Sequence, residues 1–212
     1  MQAITDLIMY FHKGGLVMWP LLACSITVIA IAIERFIYYK SVDSGAAFAA
    51  RYCAAVRSGD FAVATELARK GSGQCAQMLA DVAAVAGGKA EKSAFLESRA
   101  GIFMATLRDK LDYLGIIVTM SPLLGLLGTI VGMIGAFSIF NVEAGAPMAI
   151  TGGIGEALIA TATGLCVAIL SLCAHSYFAH RMDNMITDME QCFARCWRLK
   201  QGEQDHEAAR CA

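Results

Sequence analysis

Charge is scarce in this sequence of 212 residues: Asp, Glu, Lys and Arg make up 17% of it, against 57% hydrophobic residues. A chain this apolar, with a mean hydropathy of +0.56, is not an ordinary soluble domain, and it is long enough for a few membrane spans plus a modest polar part. The 17 basic and 18 acidic residues leave a net charge of −1. No dominant basic surface results, so nucleic acid is not expected as a partner. There is no Gly-x-x-x-x-Gly-Lys-Ser/Thr loop, which argues against direct use of ATP. Nor is there any C-x-x-C pair: Cys24, Cys53, Cys75, Cys166, Cys173, Cys192, Cys196 and Cys211 are scattered, and a disulfide framework is not expected. Cys192 and Cys196, one helical turn apart, read better as small apolar residues than as half of a metal site. The histidines His12, His175, His180 and His206 form no ligand set with the acids, and interfacial anchoring explains the His175/His180 pair. With no catalytic motif, no expected metal ligand and no internal repeat of the kind secondary transporters carry, neither an enzyme nor a small transporter is predicted.

What the sequence does contain is uncharged runs. Leu16 to Ile33 is the first, eighteen residues with Trp19 near one end and Arg35, Tyr38, Tyr39 and Lys40 beyond the other, as interfacial anchors require. Pro20 falls in its first turn, where a missing N–H matters least. Tyr113 to Val142 is the second, thirty residues, longer by about ten than a hydrocarbon core of roughly 30 Å needs, so a helix there must tilt or project. The third lies within Ala144 to His180, where Glu156 is the one Asp, Glu, Lys or Arg among thirty-seven residues. After it, Ala157 to Ala174 can cross as a helix. The expected fold class is an all-α membrane protein with three transmembrane helices and long helical cytoplasmic extensions.

The remaining segments follow from periodicity and charge. Ile4, Leu7, Ile8 and Phe11 line one face of a short helix on the membrane surface, ended by Gly14 and Gly15. No basic residue precedes that stretch and no cleavage site follows, so it is not read as a signal peptide. Of the Lys and Arg residues, one precedes the first run, eleven lie between Arg35 and Lys110, none separates the second and third runs, and five occupy the segment from Arg181 onward. The positive-inside rule then places the middle segment and the tail in the cytoplasm. Between Ser41 and Lys110, abundant alanine, no proline, and apolar Phe61, Val63, Leu67, Phe95, Leu96, Ile102, Phe103 and Leu107 suggest short amphipathic helices, divided at Gly71 to Gly73 and at Gly87-Gly88. Seventy or so residues of this kind suit a helical extension of the spans better than an independent domain. Met182, Met185, Ile186, Met189 and Phe193 keep helical spacing beyond the third run, and the polar end from Gln201 is expected to fray. The predicted boundaries are a periplasmic surface helix over 1–14, spans over 15–38, 112–141 and 150–180, a cytoplasmic helical region over 39–111, a periplasmic loop over 142–149, and a cytoplasmic helix and tail over 181–212.

Two features carry function. Small residues form stripes: Gly128 and Gly132 make a G-x-x-x-G step extended by Gly125 and Gly135, while Ala157, Thr161, Gly164 and Ala168 recur at i, i+4, i+7 and i+11. Such stripes let helices approach closely in lipid. Packing within one chain explains them as well as any functional reading, but it does not explain Glu156. An ionised carboxylate at the bilayer centre costs about 2.5 to 3.5 kcal/mol on insertion scales, so it needs a partner, a watery cavity or a proton. The bland alternative is a carboxylate at the interface that ends the apolar run.

Three stretches carry a resemblance: Gly14-Gly-Leu-Val-Met-Trp-Pro-Leu-Leu-Ala-Cys-Ser with Ile33-Glu-Arg35; Ser121-Pro-Leu-Leu-Gly-Leu-Leu-Gly-Thr-Ile-Val-Gly-Met-Ile-Gly-Ala-Phe137; and Ile154-Gly-Glu-Ala-Leu-Ile-Ala-Thr-Ala-Thr-Gly-Leu165. Together they resemble the ExbB and TolQ branch of the MotA/TolQ/ExbB proton-channel family, over roughly Gly14 to Arg181. The resemblance implies a subunit of the bacterial inner membrane with a periplasmic N-terminus, assembled as a pentamer around a dimer of a one-span ExbD- or TolR-type protein that carries the protonatable aspartate. Protons are then the coupling ion, no cofactor is needed, and motion passes to a periplasm-spanning protein of the TonB or TolA type. By position, Glu156 matches the family's third-span glutamate, and Thr129 and Thr161 match threonines that face the pore. The opening stretch from Gly14 favours an ExbB-like role in TonB-dependent transport over a TolQ-like role in envelope integrity or a non-conducting scaffold. Two departures stand out: Leu170 where proline is frequent, and Ser121 where alanine is usual before Pro122.

Overall fold

The structure, a computed structural model, describes residues 11, 14–85, 88–142 and 147–210. The described residues form helices joined by short connections, with no strand among them: α1 (Met18–Val42), α2 (Ala46–Arg57), α3 (Phe61–Lys70), α4 (Gln74–Ala84), α5 (Lys89–Val142) and α6 (Pro147–Arg210). Most of the expected surface helix over 1–14, and the centre of the expected loop over 142–149, lie outside the described residues. Helices α1, α5 and α6 are long and apolar enough to cross a membrane, and the chain is a multi-pass, all-α membrane protein. It divides into two compact units, Met1–Glu34 with Lys110–Tyr177 and Arg35–Asp109 with Phe178–Ala212.

The first unit holds the apolar runs. Their large side chains turn outward, among them Ile26, Ile29 and Ile33 of α1, Leu126 and Ile130 of α5, and Leu158 and Leu165 of α6. Small residues face inward, which in lipid is the arrangement that lets backbones pack. A methyl group at Gly128 would lie 2.5 Å from Cβ of Ala160, and one at Gly164 would lie 2.6 Å from the Ser121 carbonyl oxygen. Hydroxyls bridge the same contact. Ser171, fully buried, donates to the Leu114 carbonyl at 3.0 Å. Pro122 lies inside α5, where its missing N–H deprives the carbonyl four residues back of its usual partner.

The second unit has its own core. Ala49, Tyr52, Cys53, Val56, Ala64, Ala68, Leu79 and Cys192 pack together, so the short helices α2, α3 and α4 close over a residue of α6. The breaks between them are local chemistry. Asp60 caps α3 by accepting from the Val63 N–H at 3.2 Å, and Ser44 accepts from the Ala76 N–H at 3.3 Å near the start of α4. Arg35, although 4% exposed, donates to the carbonyls of Thr106 at 3.1 Å and Leu107 at 3.5 Å, and the Tyr39 hydroxyl donates to Leu107 at 3.1 Å. These bonds tie the end of α1 to α5 within this unit. Arg181 pairs with Asp43 at 2.7 Å. The sulfurs of Cys53 and Cys192 lie 3.9 Å apart as free thiols. A hydrogen bond with Cys75, then burial, pushes the Cys192 thiol well above its ordinary value, and a buried thiol kept protonated in this way is a packing group rather than a nucleophile.

Candidate proton-pathway site

Glu156 stands in the third turn of α6, just after Gly152, Gly153 and Gly155. It is half-buried, and its carboxylate rests against Gly15 in the turn that opens α1. Gly15 has φ +71°, and a methyl there would fall on Oε1 of Glu156 and lie 2.9 Å from its Cδ. The turn is held in place by its neighbours. Val17, Met18 and Leu21 form a buried cluster with Phe11 and Leu124 packed on it, and Phe11 meets Trp19 edge to face at 5.3 Å. A methyl at Gly14 would come within 3.3 Å of Ile159, and one at Gly128 within 3.7 Å of Val17. The acid therefore sits where the start of α1 meets α6, close to the α5 contact. The N-terminal end of a helix carries about half a positive charge, so a carboxylate there has an electrostatic partner inside its own chain.

From this point the α5–α6 seam runs through the small residues. Gly132 approaches Gly153 and Ala157, Gly128 approaches Ala160, and Gly125 and Gly164 approach one another, with Ala168 also buried. Gly135 is exposed and has nothing within 4 Å of where its side chain would stand. The Thr161 hydroxyl donates across the seam to the Gly125 carbonyl at 3.0 Å and back to Ala157 at 3.2 Å. Thr129, half-buried, donates to Leu126 of its own helix at 2.7 Å. Among the described residues, then, the Thr161 hydroxyl joins the two helices and that of Thr129 bonds within its own. His175 lies beside Gly115, and the His180 ring pairs with the Asn184 amide at 3.3 Å. Among the described residues no group of three or more His, Cys, Asp or Glu is placed to hold a metal.

Four participants were not placed by the sequence. Gly15 looked like a helix breaker, and its contact with Glu156 depends on how α1 meets α6. Gly153 and Ala160 belong to the seam but fall outside the stripes counted by spacing. Ser121 is fully buried and its hydroxyl has no hydrogen-bond partner among the described residues; the departure from alanine pointed to it, but not to its burial.

An isolated acid in an apolar helix, packed on a seam of small residues, is the arrangement expected where ions cross a membrane. The model of the MotA/TolQ/ExbB proton channel family matches residues 69–191. The chain belongs to that family. The MotA/TolQ/ExbB match takes in α5 whole and the Glu156 helix as far as Gln191. Among its relatives, the biopolymer transport protein ExbB-like 1 of Synechocystis sp. is 33% identical over 168 residues, which is 76% of this chain and 66% of that relative. The biopolymer transport protein exbB1 of Vibrio cholerae is 27% identical over 183 residues, 83% of this chain and 80% of its own length. The Tol-Pal system protein TolQ of Pseudomonas aeruginosa is 36% identical over 81 residues, 38% of this chain and 35% of its own.

Proposed function

We propose that this chain is the ExbB-like subunit of a motor in the bacterial inner membrane, driven by the proton motive force, that energises TonB-dependent transport across the outer membrane. The observation that carries the reading is Glu156, the one acid of the third apolar run, seated between the opening turn of α1 and a seam of small residues. In this reading five copies surround a dimer of an ExbD/TolR-type helix, and the outward apolar faces of α1, α5 and α6 meet lipid and neighbouring copies. Protons are the coupling ion and no cofactor takes part. Each charge crossing the membrane releases about 2.3 kcal/mol per 100 mV, enough to bias a step between equivalent positions. Glu156 organises the path, Thr129 and Thr161 supply polar steps, and the partner helix carries the proton. The distribution of basic residues supports a periplasmic N-terminus and a cytoplasmic C-terminus.

Relatives named for ExbB and for TolQ do not separate the two roles at these identities; the opening Gly14-Gly-Leu-Val-Met-Trp-Pro, closer to ExbB-type proteins, carries the preference. The test is complementation in two strains, one lacking its own ExbB and scored for TonB-dependent uptake, one lacking TolQ and scored for envelope integrity. Restored uptake supports the ExbB-like role; restored integrity alone transfers the chain to the TolQ-like role. In the strain that responds, Glu156→Gln and Thr161→Ala are expected to lower activity at equal membrane levels. Full activity in both removes these residues from the mechanism, and full activity with Glu156→Leu favours a non-conducting scaffold.

A further inference from the structure

The glycine that opens the first span sits where a side chain would collide with the one acid of the third. Its φ of +71° lies in the left-handed region, which a side chain makes unfavourable. A methyl at that position would fall on Oε1 of Glu156 and lie 2.9 Å from Cδ and 3.4 Å from Cγ. The carboxylate thus occupies the volume that any L side chain would need. Gly45 and Gly59 have positive φ as well, yet nothing lies within 4 Å of where their side chains would stand. Their constraint is the backbone alone, whereas that of Gly15 is the backbone and Glu156 together. Gly14, next to it, would meet Met18 Sδ at 2.6 Å and Ile159 at 3.3 Å, so the seat is walled by α1 and α6.

We propose that Gly15 is a positioning residue for Glu156: its missing side chain and left-handed backbone hold the carboxylate against the opening turn of α1 and set the direction in which the acid presents its oxygens. The functional arm of this role rests on the reading of Glu156 as the acid that organises the proton path. A charge near a helix end in weakly screening surroundings is sensitive to displacements of an ångström. A side chain at Gly15 must cause such a displacement, because its first carbon would fall on Oε1 of Glu156.

The experiment uses the full chain. Infrared difference spectra locate the Glu156 carboxyl band by its loss in Glu156→Gln, and the band is then followed in Gly15→Ala and in Gly45→Ala, the latter carrying backbone strain alone. The band is expected to move in Gly15→Ala and to stay in Gly45→Ala; an unmoved band in Gly15→Ala overturns the proposal. In the complementation assay Gly15→Ala is expected to lose about tenfold in activity while Gly45→Ala stays within about twofold. Glu156→Asp, shorter by one methylene, withdraws the carboxylate and makes room, so Gly15→Ala with Glu156→Asp should recover about threefold over Gly15→Ala alone. A moved band with unchanged activity upholds the seat and overturns the role of Glu156 in the motor. If Gly15→Ala does not fold while Gly45→Ala does, recovery of the folded chain on adding Glu156→Asp supports the seat, and no recovery overturns it.

Discussion

Ser121 shows how much a single hydroxyl can decide at the residue scale. It is fully buried at the crossing of α5 and α6, one residue before Pro122 and against Gly164, and its oxygen has no partner among the described residues. Thr161 and Ser171 on the facing helix avoid that cost by donating to the Gly125 and Leu114 carbonyls. A buried polar group left without a bond costs about 1 to 3 kcal/mol, so removing it should help. Ser121→Ala is therefore expected to raise the melting midpoint of the purified chain by about 2 to 4 °C. A fall of similar size in thermal denaturation would mean that the hydroxyl is bonded in the assembled protein, to water or to another subunit. Glu156 was legible as a residue because lipid penalises a carboxylate wherever it stands in an apolar run. Its neighbour Gly15 was not, because that contact depends on the angle at which α1 meets α6, and periodicity carries no information on crossing geometry.

At the scale of elements, the spans were legible for a simple reason: long uncharged runs have few alternatives to a membrane helix. The short helices were legible in part from their breaks, since Gly71 to Gly73 fall between α3 and α4 and Gly88 precedes α5, whereas the break at Gly59 and the Asp60 cap was missed. That α2 to α4 build a core of their own around Cys192 was not legible, because amphipathic spacing shows that a short helix has an apolar face but not which other element covers it. Glycine spacing was informative only in part. Gly128 and Gly135 both belong to the glycine-rich surface, yet a methyl at Gly128 would stand 2.5 Å from Cβ of Ala160 while Gly135 faces open space. Gly128→Ala must push the helices apart and is expected to cost about 1 to 3 kcal/mol, as overpacking usually does. Gly135→Ala fills nothing and gains the better helix former, worth up to about 1 kcal/mol. Chemical denaturation of the two variants in the same detergent checks this directly. Destabilisation by both would mean that Gly135 also packs, against a second copy of the chain or a partner helix.

For the molecule as a whole, the scarcity of charge makes each polar cluster outside the apolar runs matter to stability. In the second unit Asp43 and Asp188 line a common cavity with Met185, while Arg181 binds Asp43 at 2.7 Å. Asp188 is left with less compensation: burial, and then the negative charge of Asp43, hold its carboxyl above the usual carboxylate range. The sign of the pH dependence follows by linkage. A carboxyl that binds its proton more tightly in the folded than in the unfolded chain penalises folding when ionised, so the penalty is full above the raised folded value and disappears as pH falls through it toward the ordinary unfolded value. Asp188→Asn cannot ionise and escapes the penalty. It is expected to melt about 1 to 3 °C higher than the natural chain near neutral pH, with the two curves converging as the solution is acidified into the ordinary carboxylate range. A difference that persists unchanged at low pH would mean that packing, not ionisation, separates them. Asp188 lies outside the apolar run that holds Glu156, so this variant should leave activity in the complementation assay unchanged at neutral pH, and a loss of activity without a loss of stability would give Asp188 a functional role.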